Sequence, residues 1–182
     1  MVRMKNWKLK MELLKQLYAI HSPTGHEWPL ICFIREYISE HVPEAEVKMD
    51  GWGNLYIKKG SPLPTSPKGE ETGYPTLACH LDHVQTLHSA DFCVKESILP
   101  HGESGERGFY GWSEANQQRE GLGADDKNGI WICLRCLEES PRLKVFMAVG
   151  EEKGCIGSNR ARMDFFADST MTQIYFGLKT AN

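Results

Sequence analysis

No stretch of this sequence approaches the ~20 consecutive apolar residues of a membrane span, so no membrane partner is expected. The basic opening (Arg3, Lys5, Lys8, Lys10, Lys15) is not followed by the apolar run of a secretory signal, which points to a cytoplasmic location. Basic residues do not predominate: 21 Lys and Arg stand against 24 Asp and Glu, which argues against a nucleic-acid partner. The six cysteines show no disulfide framework. Cys32, Cys79, Cys133 and Cys136 lie in apolar segments, where free cysteine acts as a small buried hydrophobe. Cys133 and Cys136 form a CxxC with no second pair to complete a zinc ribbon. There is no internal repeat.

What remains is an ordinary globular composition, 41% hydrophobic and 25% charged over 182 residues: one domain, or part of one. Leu9, Leu13, Leu17 and Ile20 recur at helical spacing, with Leu14 and Tyr18 beside them, and predict a helix over 7–20. A second helix is expected from about Glu27 to His41, burying Ile31, Ile34 and Ile38. Asp50-Gly51-Trp52-Gly53 reads as a turn between strands 45–49 and 54–59. Residues 60–74 read as a surface loop, 75–79 as a buried strand, and 101–108 as an exposed turn. Phe92 to Leu99 could form a strand, but 84–122 is the least legible region. Ile130, Cys133, Leu134 and Leu137, with Trp131, Ile132 and Cys136, predict a buried helix. The run through Val145-Phe146-Met147-Ala148-Val149 then predicts a central parallel strand over 143–149. Strand, helix, strand implies a layered α/β domain.

Three motifs carry chemistry. His80-Leu81-Asp82 leaves the strand at 75–79; on extended backbone His80 and Asp82 share a face, so the carboxylate could orient a metal-binding imidazole. A plain surface strand end is the alternative. Asp125 and Asp126 open the buried helix; one aspartate suffices as an N-cap, and a carboxylate bridging two cations would account for the surplus. Glu151 and Glu152 follow the central strand, where one could ligate a metal and the other take a proton from its water. An exposed turn with a charge pair is the alternative. All three lie at strand C-terminal ends or a helix N-terminus, the edge where open α/β sheets bind ligands.

The sequence is similar to the peptidase T-like, aminoacylase-type di-zinc exopeptidases. The likeness runs through Ser22-Pro23-Thr24-Gly25-His26-Glu27, Asp50-Gly51-Trp52-Gly53-Asn54, His80-Leu81-Asp82, Gly123-Ala124-Asp125-Asp126-Lys127 and Glu151-Glu152. It covers nearly the whole chain to about Asp168. It implies a three-layer α/β/α sandwich with a mixed, largely parallel sheet, incomplete at the C-terminus. Residues 1–168 would be the N-terminal part of a catalytic domain, and 169–182 a divergent or truncated tail. The resemblance makes His80, Asp125 and Glu152 the metal ligands, with Asp125 bridging two zinc ions, or Co2+ or Mn2+ in their place. Glu151 would be the general base and Asp82 would orient His80, while Asp126 caps the helix. It also implies a cis peptide after Asp125. The substrate would be a short peptide, or alternatively an N-acyl amino acid. Two further family ligands have no match: there is no Asp or Glu after Asp168 and no His after His101, and the expected aspartate falls near Phe176 and Gly177. Two ligands per zinc imply weak metal binding, and a non-catalytic fragment that self-associates through exposed surface is the contrasting reading.

Overall fold

A computed structural model describes residues 2–62, 73–84, 88–98 and 107–170. The chain runs α1 (Val2–Ala19), α2 (Trp28–His41), β1 (Glu46–Met49), β2 (Leu55–Lys59), β3 (Tyr74–His80), β4 (Phe92–Ile98), β5 (Arg107–Ser113), β6 (Gln118–Glu120), α3 (Ala124–Glu139), β7 (Leu143–Ala148) and β8 (Ser169–Thr170). The predicted helices and the strands at 45–49, 54–59, 75–79 and 143–149 are all present, within a few residues of their expected ends. Positions 63–72, 99–106 and 171–182 lie outside the described residues, and with them most of the predicted loop and turn and the site near Phe176. Leu9 lies on α1, outside the residues whose side chains are described.

The architecture is α/β with a mixed sheet in the order β1-β2-β7-β3-β8. β1, β2 and β7 pair antiparallel, whereas β7-β3 and β3-β8 are parallel. The Asp50 turn explains the first hairpin: its carboxylate accepts from Trp52 N–H (2.9 Å) and Asn54 N–H (3.0 Å), closing the turn locally. β7 is buried along its whole length, as its apolar run requires. It lies alongside β3 in parallel register, with His80 opposite Ala148. That register brings the ends of both strands to one edge.

One face of the sheet carries the main core. Leu13 and Leu17 of α1, Ile31, Ile34 and Ile38 of α2, and Ile130, Leu134 and Leu137 of α3 pack against Leu55, Ile57, Val145 and Met147. Each helix therefore buries the stripe its periodicity predicts. The opposite face has a smaller cluster of Tyr56, Phe146 and Ala148, covered by Phe165 and Phe166 from the short 3-10 turn Met163–Phe166. Lys144 is buried on β7, and its ammonium is held by the Phe165 carbonyl and the Asp168 carboxylate, which fastens this covering segment to the sheet.

Among the described residues, β4, β5 and β6 form a separate antiparallel sheet in that order. Only its first strand was legible. The reason lies in β5, Arg107-Gly108-Phe109-Tyr110-Gly111-Trp112-Ser113, which mixes glycine with aromatics and lacks apolar alternation. Gly111 is required there, since a Cβ would stand 2.4 Å from the Glu120 carbonyl oxygen. Two cysteines depart from expectation: Cys136 is only half-buried at the edge of the core, and Cys32 is exposed, because it occupies the outward side of α2 next to buried Ile31.

Leu134 is fully enclosed between α3 and the sheet. Leu134→Ala is expected to cost about 2–5 kcal/mol in urea unfolding, while Cys32→Ser on the exposed side should stay within about 0.5 kcal/mol.

Candidate metal centre

The edge formed by the ends of β3 and β7 gathers the residues singled out in the sequence. His80, the last residue of β3, places a ring nitrogen with carboxylate oxygens of Glu151 and Glu152 so that all three lie within 4.8 Å of one another. His80 Nε2 is also 3.1 Å from Asp125 Oδ1 and 3.9 Å from Glu151 Oε2. Four side chains from three segments therefore converge, and Asp82 stands directly behind them.

The tautomer of His80 follows from its partner. Nδ1 lies 2.9 Å from the Asp82 carbonyl oxygen, which can only accept, so Nδ1 carries a proton. Nε2 then faces Asp125 and Glu151. The Asp82 carboxylate approaches the same ring at 3.5 Å. Leu81, between them, turns into the core. Burial pulls the His80 pKa down, but Asp82, Asp126 and Glu151 outweigh it and raise it to about 9.

Asp82 is almost wholly buried. Its oxygens accept from Thr24 Oγ1 (2.7 Å), Glu151 N–H (2.9 Å) and Glu152 N–H (3.2 Å). Burial alone would raise its pKa; His80 and these donors reverse that and hold it at about 2. It stays ionised.

The adjacent aspartates separate in role through backbone shape. The Asp125–Asp126 peptide is cis, as the resemblance implied. Both residues are non-helical, so regular turns begin only at Lys127. Asp126 turns inward, accepting from Gly129 N–H (2.9 Å) and His80 N–H (3.3 Å). Asp125 remains exposed and meets His80. The N-cap is thus filled by Asp126, which leaves Asp125 surplus to helix capping.

The cluster is short of positive charge. Burial, then repulsion from Asp125, Glu151 and Asp82, raises Glu152 despite His80, and burial raises Asp126 to about 6. One imidazole nitrogen among carboxylate oxygens suits Zn2+ and similar divalent ions, and such an ion would offset this repulsion.

Sequence reasoning assigned no role to several supporting residues. Thr24, Glu27, Asp50 and Asn54 lay within the resembling segments, but nothing local shows that Glu27 and Asn54 are buried. His83 is structural: its buried Nε2 accepts from Ser22 N–H at 3.0 Å, and its ring lies near His21 and His88.

Comparison with solved structures adds the fold. A tripeptidase from Staphylococcus aureus superposes with a TM-score of 0.61 at 23% identity, covering 86% of this chain and 40% of that one. Aminoacylhistidine dipeptidase from Vibrio alginolyticus gives 0.59 at 23%, covering 82% and 29%. Aminopeptidase PepT from Bacillus cereus gives 0.57 at 22%, covering 85% and 39%. The chain shares the fold of these peptidases. It spans well under half the length of each. No protein-family model matches the sequence, and no curated protein does. Among the described residues, no helix is long and apolar enough to cross a membrane.

Burial, then the charges of Lys127, His21 and His88, lower the His83 pKa to about 3. The unfolded chain, with histidine near its ordinary ~6.5, takes that proton first, so the stability that neutral His83 contributes is full above about pH 6.5 and falls below it. The His83 contribution should approach about 1.4 kcal/mol per pH unit between pH 6 and 4, read as the difference in urea-unfolding slope between wild type and His83→Gln. A Cβ on Gly129 would stand 2.2 Å from Asp126 Oδ1. Gly129→Ala should therefore displace the cap and cost about 1–3 kcal/mol, read by the same assay.

Proposed function

We propose that the chain is part of a metal-dependent exopeptidase acting on short peptides, with His80, Asp125 and Glu152 as metal ligands. The observation that carries this reading is the convergence of His80, Glu151 and Glu152 within 4.8 Å, with Asp125 at 3.1 Å from His80 Nε2, on the sheet edge where ligands bind. The peptidase fold of the neighbours supports it, and their substrates suggest a di- or tripeptide for this chain.

When bound, a pair of zinc ions would polarise the scissile carbonyl and acidify a water. The chain's own residues do the rest. Asp125, exposed beside His80 Nε2, would hold the cations together with His80 and Glu152. His80 offers Nε2 because the Asp82 carbonyl holds Nδ1–H. Glu151, with its carboxylate 3.9 Å from His80, takes the proton from the attacking water and delivers it to the leaving amine. Asp126 keeps the helix start closed so that Asp125 can turn outward. Residues 1–168 form the catalytic part in this reading, and 169–182 a tail whose first two residues join the sheet as β8.

The donor set yields about two protein ligands per ion, against the three usual for catalytic zinc, so the 182-residue chain should bind zinc weakly and hydrolyse tripeptides near background. Calorimetric zinc titration beside a tripeptide assay checks this. His80→Ala should weaken zinc binding by about tenfold or more, whereas Glu151→Gln should change it by less than about threefold while abolishing any turnover. Zinc binding indifferent to His80→Ala sinks the reading.

A further inference from the structure

Four consecutive backbone amides at the end of β7 are each held by a side chain from a distant part of the sequence. Val149 N–H donates to Asn54 Oδ1 (3.1 Å) and Gly150 N–H to Glu27 Oε1 (3.2 Å). Glu151 and Glu152 N–H donate to the two oxygens of Asp82, at 2.9 and 3.2 Å. A strand normally sends alternate amides to its two neighbours, so four in succession on side chains marks the point where the chain leaves the ladder. The backbone turns there through Gly150, whose φ is +62°, and a Cβ would come within 3.1 Å of Ile156.

The three acceptors are buried: Asn54 at 0% exposure, Asp82 at 1% and Glu27 at 7%. Burying two carboxylates and an amide is costly unless each finds donors, and the amide run supplies them. Asn54 closes the far end as well, since its Nδ2 donates to the Gly157 carbonyl (3.1 Å) while Gly157 N–H donates to the Val149 carbonyl (2.9 Å). Asp50 steadies Asn54 by accepting from Nδ2 at 2.8 Å. The loop 149–157 is therefore pinned at its entry, its apex side and its exit.

We infer that Glu27 and Asn54 are positioning residues for the Glu151 and Glu152 carboxylates, acting through the backbone alongside Asp82. This deepens the metal-hydrolase reading and rests on it. Neither residue is among the side chains that converge at the centre. Each sets the height of an amide immediately before the glutamates. Metal bond lengths tolerate only about 0.2 Å of error, so a small shift of this loop is felt at both carboxylates together. Glu27 also stands at the start of α2, where its side chain makes no capping bond and accepts Gly150 N–H instead.

Cobalt(II) serves as the probe, titrated into the full 182-residue chain and read by visible absorption, with urea unfolding run on every variant. Glu27→Gln keeps the Oε1 acceptor and should bind Co2+ within about twofold of wild type. Glu27→Leu leaves Gly150 N–H without its acceptor and should weaken Co2+ binding about tenfold to a hundredfold. Should Glu27→Leu fail to fold, Glu27→Asp decides: it keeps the charge and retracts the acceptor, and should lose about tenfold in affinity while folding. A folded Glu27→Leu or Glu27→Asp that binds cobalt as wild type does overturns the inference, as does a Glu27→Gln chain weakened as much as Glu27→Leu. No cobalt binding by wild type itself overturns the metal reading beneath it, and the two failures are thereby told apart.

Discussion

The buried carboxylate of Asp82 joins three parts of the chain that lie far apart in sequence. It accepts the Thr24 hydroxyl, 58 residues away in sequence, and the Glu151 amide, 69 residues away, while standing 3.5 Å from the His80 ring. An ionised group in that setting is tolerable only if its oxygens are well supplied with donors. The same donors therefore fix the strand end, the loop after α1 and the glutamate turn relative to each other. Asp82 orients the imidazole from one side and the glutamate backbone from the other, so ring and carboxylates share a single reference point.

Around that point the domain divides its work by location. The helix-covered face of the sheet is a continuous apolar core, rigid enough to fix where β3 and β7 end. Their parallel register places His80 opposite Ala148, and the chemistry begins where the apolar residues stop. α3 completes the arrangement from the side. Its buried Lys127 donates to the Ile20 carbonyl and its Asn128 accepts from Tyr18 Oη at 2.5 Å, which ties the helix start to the end of α1. The aspartates that open α3 are thus set by packing remote from the cluster they face.

Electrostatically the centre is arranged for a cation. His80 is pushed up to about 9 because it is the nearest positive charge available to a group of acids that repel one another. A divalent ion would take over that compensation and free Nε2 from its proton. The cost of gathering acids at one edge is carried by the polar network beneath, in which neutral amides and a hydroxyl, rather than lysine or arginine, satisfy Asp82.

Much of the plan was legible locally, because periodicity and runs of apolar residues report which face of an element is covered. Ile31, Ile34 and Ile38 announce α2, and Val145 to Ala148 announce the central strand. His80, Asp82, Asp125, Glu151 and Glu152 drew notice because paired acids beside a strand end have little structural use. Of the sheet β4-β5-β6 only β4 was legible, since the aromatic and glycine residues of β5 follow neither period. No local pattern shows which of Asp125 and Asp126 faces inward. The resemblance implied that Asp126 caps, and the tertiary structure sets its carboxylate on Gly129 N–H while Asp125 turns out, through backbone dihedrals that periodicity does not report. The tertiary structure also decided that Glu27 and Asn54 are interior groups. A carboxylate or an amide is read as solvent-facing until its donors are known, and those donors, Val149 and Gly150, lie more than 90 residues further along the chain.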